Sequence, residues 1–367
     1  MIALTLTLML GQFCPSYTLS STNNTGNCGV EAVAGTNPTI AQWQPIFQLV
    51  SQGPSAWGSA GPSVADIGQG CGLPNPTVSV PAKFPCELLK AIANRESGWR
   101  QFCVPSTPSD QVGGASRTII SFDCGYGVGQ VTSGMHIGEA PGFDRARVAS
   151  DPTYNMATGT QILASKWRAT ACVGDNQPSI IEDWYTATWA YNGLAFSNNP
   201  NNPMYSTTRG VYQGSGAAPY QEKVFGSMEF PPTGRWVGVP AAYPRLSDIP
   251  ATASRPNALP EPSCATPTSC ASTRPVHVSS CFAADAGVGG GGGTTGGGGG
   301  ATGGGGGATG GGGGTSDAGV DAGVDPPPVV LALVSPSLGR AEGCGCDSGS
   351  GLLALMSLAL LLRRKNT

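Results

Sequence analysis

Apolar residues recur at helical spacing in several stretches, and the best defined covers residues 85–99. There, Leu88, Leu89 and Ile92 share one face of a predicted helix. One further turn brings Glu96 onto the same face. A carboxylate at the end of an apolar face is costly to bury as a charge. We therefore expect Glu96 to be neutral or to lie at the edge of a cleft, where a general acid is usually placed.

The ends of this helix are marked in the sequence. Pro85 and Glu87 are residue types that open a helix, because the first turn needs no proline N–H and its dipole favours an acid. Ser97 and Gly98 are expected to end it. Judged from this stretch alone, a glutamate in the last turn of an amphipathic helix is more often a solvated or capping residue than a catalytic one.

Four other stretches predict helices. Residues 40–51 and 180–194 carry apolar side chains at helical spacing, and a short helix begins at Pro219. Residues 151–167 start with an Asp-Pro pair, which is typical of a helix opening. The helix at 40–51 lies in the N-terminal extension, and the others, with the helix that carries Glu96, predict a mostly α domain between residues 82 and 230.

Three alternating glycines, Gly125, Gly127 and Gly129, precede Gln130. A dinucleotide-binding loop needs a glycine at position 130 and a surrounding βαβ unit, and the sequence offers neither. We expect a tight turn here, or a backbone that approaches a ligand closely.

Composition narrows the class of partner. Only 11% of the 367 residues are charged and the net charge is −3, so the sequence predicts no nucleic-acid partner.

Glycine is concentrated in residues 287–314, where runs of five glycines repeat every seven residues. Such a run cannot offset the entropy lost on ordering, so it is expected to be a disordered, flexible linker.

The 12 cysteines, in Ser/Thr/Asn/Gly-rich surroundings, favour an oxidising compartment. We expect Cys103 and Cys124 to pair, although sequence alone does not establish connectivity. The chain has no CxxC motif and only two histidines, His136 and His277. We therefore predict no metal and no cofactor, and no His-based nucleophilic site.

The two ends are apolar. Residues 1–10 resemble the hydrophobic part of a secretory signal but lack preceding positive residues, and a buried strand is the alternative. Residues 352–362 are too short for a stable span of about 20 residues, and residues 363–365 are basic. This pattern indicates a transient sorting anchor.

Residues 231–285 are rich in Pro, Ala and Ser and are expected to pack poorly.

The chain is thus predicted to divide into six parts. These are a signal segment (1–20), a turn-rich N-terminal extension that packs on the core (21–81), the mostly helical domain (82–232), a Pro/Ser-rich, cysteine-containing extension (233–286), a Gly-rich flexible linker (287–328) and a tail with a short hydrophobic plug and a basic end (329–367).

Four pieces of the helical domain resemble, in order, the lytic transglycosylase SLT family of the lysozyme-like superfamily. They are residues 91–97 (AIANRES), residues 127–130 (GVGQ), Asn155, and residues 190–193 (AYNG) followed by residues 220–224 (YQEKV). The resemblance implies a lysozyme-like fold that cleaves the β-1,4 bond between N-acetylmuramic acid and N-acetylglucosamine in peptidoglycan.

The family's catalytic acid falls on Glu96 and its serine partner on Ser97. Its substrate-lining glutamine falls on Gln130, and its cleft Tyr-Asn pair falls on Tyr191 and Asn192. The resemblance implies that these four bind substrate, and that Tyr191 hydrogen-bonds to Glu96. These residues also have a purely structural interpretation. Tyr191 is then an ordinary core tyrosine, and Gln130 and Asn192 are amides in turns.

The chain departs from the family at two points. The family usually has Gly-Leu-Met-Gln, so the methionine side chain is missing at Gly129. The loop between Glu96 and Gln130 is also longer than usual. Both departures affect the expected glycan subsites and leave the expected reaction class unchanged.

The resemblance implies a single-glutamate mechanism in which the muramic acid 6-hydroxyl closes a 1,6-anhydro ring. One alternative is hydrolysis, as in goose-type lysozymes, with Asp110 or Asp123 activating water. Another is a non-catalytic glycan-binding surface protein. The implied partner is the peptidoglycan strand in each case.

The C-terminal tail resembles the myxobacterial C-terminal sorting signal, through Cys344, Cys346, the leucine plug and the basic residues 363–365. This resemblance implies transient contact of the tail with a membrane and a sorting protease. The protein is then expected to be exported, and to be cell-surface, outer-membrane-associated or extracellular.

Overall fold

Helices provide most of the regular structure in the computed structural model, which describes residues 28–72, 75–103, 116–205 and 217–282. The α-helices are α1 (Ile40–Ser51), α2 (Pro54–Trp57), α3 (Cys86–Ser97), α4 (Arg145–Ser150), α5 (Pro152–Ala169), α6 (Tyr185–Tyr191) and α7 (Tyr220–Glu229). The strands are β1 (Ala34–Gly35), β2 (Ile67–Gln69), β3 (Val78–Val80), β4 (Ser116–Arg117), β5 (Cys264–Thr266) and β6 (Ser269–Thr273).

The strands form three small antiparallel pairs: β1 with β4, β2 with β3, and β5 with β6. Ala34 lies opposite Arg117 in the first pair, and Ile67 lies opposite Val80 in the second. Among the described residues, none of the helices has both the length and the apolar content needed to cross a membrane. The predicted signal segment, linker and sorting tail lie outside the described residues.

Helix α3 forms as the sequence predicts. Pro85 precedes it, Glu87 occupies its first turn, and Gly98 ends it in the left-handed conformation at φ 63°. Leu88, Leu89 and Ile92 on its apolar face are buried. The helix therefore lies in the core and presents its C-terminal end, with Glu96, to the site described below.

One hydrophobic core joins the longer helices. Helix α3 packs against α1 and α7, and α5 packs against α1 and α6. The core side chains include Trp43, Phe47 and Val50 of α1, Leu163 and Trp167 of α5, Ala187 and Trp189 of α6, and Val224, Phe225 and Met228 of α7. The predictions of helices at 40–51 and 151–167 are confirmed. The predicted helix at 180–194 is divided into a 3₁₀ segment, Glu182–Trp184, and α6.

The segment after α7 packs better than its composition suggests. Tyr243, Ile249 and Leu259 are at most 3% exposed and belong to the same core as α3. The expectation of poor packing was therefore wrong for this stretch. The sequence did not reveal this packing, because Tyr243 and Leu259 lie in isolated β-bridges and Ile249 follows a short 3₁₀ segment, so none of them belongs to a periodic element.

Among the described residues, disulfides join Cys28 to Cys124, Cys71 to Cys172, Cys86 to Cys281, and Cys264 to Cys270. The first three link distant segments, and the fourth closes a short hairpin. The predicted Cys103–Cys124 pair was wrong. Closeness in the sequence favoured that pair, but the bonded residues are set by tertiary packing.

The start of α3 is anchored to the end of the described chain. Glu87 is 6% exposed and accepts hydrogen bonds from Ser279 Oγ (2.6 Å), Ser280 Oγ (2.6 Å) and Ser280 N (2.8 Å). Burial raises the pKa of Glu87, but these bonds to the carboxylate more than offset it, so the pKa lies below its usual value. Beside it, the Cys86–Cys281 disulfide closes the same junction.

We predict that replacing Cys86 and Cys281 together by serine lowers the free energy of unfolding by about 2–5 kcal/mol, because their bond closes the longest loop among the disulfides that the structure describes. The partners are 195 residues apart. Urea denaturation of the oxidised protein measures the loss. The control is the Cys264→Ser/Cys270→Ser variant, whose bond spans only six residues. A control loss as large as that of the first variant would contradict the prediction.

Candidate active site

Glu96 lies in the last turn of α3 and is partly buried. Tyr220, the first residue of α7, donates its hydroxyl hydrogen bond to Glu96 Oε1. Packing of α7 against α3 positions this tyrosine. No hydrogen bond to the second oxygen, Oε2, is found within residues 28–72, 75–103, 116–205 and 217–282. One carboxylate oxygen is thus held while the other stays available.

The surroundings raise the pKa of Glu96 to about 7. Burial is the largest cause, because it penalises the charged carboxylate. The Tyr220 hydrogen bond and the Arg95 charge act in the opposite direction, and the Asp123 charge raises the pKa further. Near neutral pH the group is therefore divided between its acid and base forms, as a proton-transfer catalyst requires.

The glycine-rich turn is pinned to the end of α3. Ser97 is buried, and its Oγ donates to the Val128 carbonyl (3.0 Å). Gly127 has φ 62°, and a Cβ there would overlap the side chain of Gln101. Glycine is therefore required at position 127, both for its conformation and for the close approach of the buried amide.

Gly129 is held through both of its backbone polar groups. Its N–H donates to Asn155 Oδ1 (2.9 Å), and its carbonyl accepts from the Tyr191 hydroxyl (2.7 Å). A Cβ at Gly129 would lie 3.3 Å from Asn155 Oδ1 and 3.5 Å from the Tyr191 hydroxyl. The absence of a side chain at this position lets α5 and α6 approach the turn.

Tyr191 does not make the hydrogen bond to Glu96 that was predicted for it. The structure places Tyr220 in that role and directs the Tyr191 hydroxyl to Gly129. Burial and the nearby Glu96 charge raise the pKa of Tyr191 far above its usual range, so both tyrosines stay protonated. The Tyr220 hydroxyl thus contacts the acid, and the Tyr191 hydroxyl supports the glycine-rich turn.

Of the two predicted substrate amides, Gln130 lies in the glycine-rich turn and Asn192 directly follows α6. Gln130 has φ 45°, is partly exposed, and donates from Nε2 to the Gly127 carbonyl (2.9 Å). Asn192 is exposed directly after α6, and its Oδ1 accepts from Asn198 Nδ2 (3.2 Å). Neither hydrogen-bonds to Glu96, so their contact with substrate stays a prediction.

A second carboxylate acts on Glu96 from a distance. Asp123 is exposed, accepts a hydrogen bond from Ser121 Oγ, and contributes to the raised pKa of Glu96. Asp110, the other carboxylate considered from the sequence, lies outside the described residues.

Three contributors to the site were missed from the sequence. Tyr220 lies in the YQEKV piece, but no pattern in that piece predicted a role for its hydroxyl. Gln101 is fully buried, donates to the carbonyls of Val148 (2.9 Å) and Ala149 (3.0 Å), and accepts from Val128 N. A lone glutamine in a loop carries no signal for such a role. The third is Gly159, whose Cβ would lie 2.9 Å from the Tyr191 hydroxyl.

Comparison with known proteins places the chain in no family. No protein-family model, no curated protein and no solved structure matches it. The case for function therefore depends on the chemistry of the site and on the motif order in the sequence.

Metal ligands do not surround Glu96 in the part of the chain that the structure describes. Two groups of possible ligands occur there, Cys86/Glu87/Cys281 and Asp175/Asp183/Glu261. In the first, the cysteines are joined in a disulfide and their sulfurs are not thiolates. The second group is separate from Glu96 and is considered below.

We predict that Tyr220→Phe raises the pKa of Glu96, because it removes a hydrogen bond that favours the carboxylate. A hydrogen bond to a charged group contributes about 1.5–3 kcal/mol, which corresponds to about one to two pKa units. A carbon-13 NMR titration of the Glu96 carboxyl measures the change.

Tyr154→Phe is the matched control, because it also removes a hydroxyl hydrogen bond, here the one that the hydroxyl oxygen accepts from Asp144 N (3.0 Å). The Glu96 pKa is expected to stay at its wild-type value in this variant. A fall in the pKa of the Tyr220→Phe protein would contradict the hydrogen-bond assignment.

We also predict that Gly159→Ala destabilises the protein, although alanine in a helix normally stabilises by about 0.5–1 kcal/mol. The added Cβ would lie 2.9 Å from the Tyr191 hydroxyl. In a Tyr191→Phe background the same substitution should become neutral or stabilising, because the hydroxyl is gone. Thermal unfolding of the four proteins forms a double-mutant cycle, and equal effects in both backgrounds would exclude the clash.

Proposed function

We propose that this protein is a peptidoglycan lytic transglycosylase with a lysozyme-like fold, in which Glu96 is the single acid and base. The observation that carries the proposal is the placement of Glu96 at a helix end, with one oxygen held by Tyr220 and a pKa of about 7. The order of the SLT-like motifs supports the same reading. Tyr220 hydrogen-bonds to Glu96, Ser97 hydrogen-bonds to Val128, and Asn155 and Tyr191 hydrogen-bond to Gly129, so hydrogen bonds link all four pieces.

In the proposed reaction, Glu96 gives its proton to the glycosidic oxygen as the bond from that oxygen to C1 of N-acetylmuramic acid breaks. The resulting carboxylate then takes the proton of the muramic acid 6-hydroxyl, whose oxygen forms the new bond to C1. Glu96 ends as it began, protonated, and no water is consumed. One carboxylate suffices, because the sugar supplies the nucleophile that a second carboxylate would otherwise provide or activate.

The remaining predicted residues are assigned supporting roles. Tyr220 orients the acid, and Tyr191 and Ser97 hold the turn that carries Gln130. Gln130 and Asn192 are proposed to contact the N-acetyl groups of the glycan strand. Because its disulfides favour an oxidising compartment, we propose that the protein acts on peptidoglycan after export, at the cell surface or outside the cell.

Hydrolysis is the second candidate, and Asp123 is the observation in its favour. Its charge makes a small contribution to the raised pKa of Glu96, after burial, the Tyr220 hydrogen bond and the Arg95 charge. An inverting hydrolase would use such a carboxylate to activate water, at roughly 6.5–9.5 Å from the acid. The two reactions give different products, because the anhydro product is lighter by one water.

The full chain is tested for lytic activity on purified peptidoglycan, and the masses of the released sugars are measured by mass spectrometry. We predict 1,6-anhydro products and a rate that falls by about 10²–10⁴-fold in Glu96→Gln, the usual contribution of general acid–base catalysis. Glu139→Gln, which removes an exposed acid, is the matched control and should keep full activity.

Other outcomes separate the alternatives. Reducing-end products that disappear in Asp123→Asn indicate the hydrolase. Retained wall binding without release by either wild type or Glu96→Gln indicates a glycan-binding protein and would overturn the enzymatic proposal.

A further inference from the structure

Three carboxylates converge on the turn that follows α5. Asp175 lies in this turn, Asp183 lies in the 3₁₀ segment before α6, and Glu261 comes from the segment that precedes β5. One oxygen from each lies within 4.8 Å of the other two. Calcium–oxygen distances are about 2.3–2.6 Å, so opposite ligands of one ion are about 4.6–5.2 Å apart. The three oxygens therefore fit within one coordination sphere.

Asp183 supplies an independent sign that a ligand belongs here. Its side chain is 1% exposed, and only one of its oxygens is satisfied, by Gln177 N at 2.6 Å. Its Oδ1 is buried and has no hydrogen-bond partner within the described ranges. A buried carboxylate oxygen without a partner loses its hydration with nothing to replace it, so a compensating partner is expected.

The backbone is shaped to bring these oxygens together. Gly174 has φ 55°, and a Cβ there would overlap Glu261 Oε2 and lie 3.0 Å from Asp183 Oδ1. The turn is fixed from outside by the Cys71–Cys172 disulfide and by the hydrogen bond from Asn75 Nδ2 to Asp175 Oδ2 (2.9 Å). The cluster is thus part of a constrained turn.

Negative charge in this region is not balanced by a basic side chain. Within the described residues, no salt bridge involves any of the three carboxylates. Glu182 adds a further buried carboxylate beside the three. Its side chain contacts His277 Nδ1 (2.8 Å), so this histidine faces Glu182 and not the three proposed ligands. The carboxylates of Glu261, Asp175 and Glu182 all lie close enough to Asp183 to oppose its negative charge. A bound cation would remove this repulsion.

We propose that Asp175, Asp183 and Glu261 form a calcium site. The ligands are all oxygens, which suits a hard cation, and no thiolate or imidazole is among them. Three carboxylates from separate segments suit the flexible, higher coordination of calcium better than that of magnesium, which keeps several waters and uses one or two carboxylates.

The site is expected to stabilise the start of α6. Asp183 lies in the 3₁₀ segment that continues directly into this helix, and Tyr191 is the last residue of the same helix. The proposal does not depend on the proposed enzymatic activity, since its ligands do not include Glu96. Its test uses stability and direct binding as readouts.

The test compares thermal unfolding of the oxidised full chain in EDTA and in CaCl₂ on the order of 1 mM and above, the range of extracellular calcium modules. We expect a saturable rise of about 3–10 °C in Tm, from ligand linkage at 10–100 times Kd in a protein of this size. Isothermal titration with calcium alone should give one site per chain.

Asp183→Asn should abolish the calcium-dependent rise in Tm, and Glu261→Gln should reduce it. Asp66→Asn, which removes an exposed acid, is the control and should keep the full rise. If Asp183→Asn fails to fold, the exposed Glu261 still provides the decisive variant.

Absence of a calcium-dependent rise in the wild type would overturn the proposal and assign a proton to Asp183. A rise of equal size in Glu261→Gln and Asp66→Asn would also overturn it. An equal response to MgCl₂ at the same concentration would overturn the assignment to calcium.

Discussion

The site depends on partial removal of one carboxylate from water. Glu96 reaches the edge of the core because it continues the apolar face of α3, and burial there is the main reason that its pKa rises to about 7. The Tyr220 hydrogen bond limits this rise, since it favours the charged form. Without the bond the acid would hold its proton more tightly, and without burial it would be an ordinary surface carboxylate. The balance between these two opposing effects makes reversible proton transfer near neutral pH possible.

That balance requires α3 to be fixed at both ends. At its start, Glu87 accepts three hydrogen bonds from the 279–280 segment, and the Cys86–Cys281 disulfide lies alongside. At its end, Ser97 is bonded to the glycine-rich turn. The segment beyond α7 therefore belongs to the support of the site. A protein truncated at residue 232 would lose this junction together with the buried Tyr243.

Local features of the structure followed from the sequence, and contacts between distant segments did not. Helical periodicity and end signals predicted α1, α3 and α5, because both operate within a few residues. The position of Glu96 on the apolar face of α3 was visible for the same reason. The choice of Tyr220 over Tyr191 as partner of Glu96 depends on how α7 packs, and the partner of Cys124 depends on where residue 28 lies. Neither is encoded in local spacing, so both predictions failed.

A raised pKa does not by itself identify a catalytic acid in this protein, because Glu96 and Asp183 both have one. Their surroundings separate them. Glu96 is partly exposed, has a tyrosine on one oxygen and keeps the other oxygen available to a substrate. Asp183 is 1% exposed and has three other carboxylates nearby, so no glycan can reach it and its charge is opposed by like charges. Partial exposure suits the proton transfer that we propose for Glu96, whereas burial among carboxylates suits the cation that we propose at Asp183.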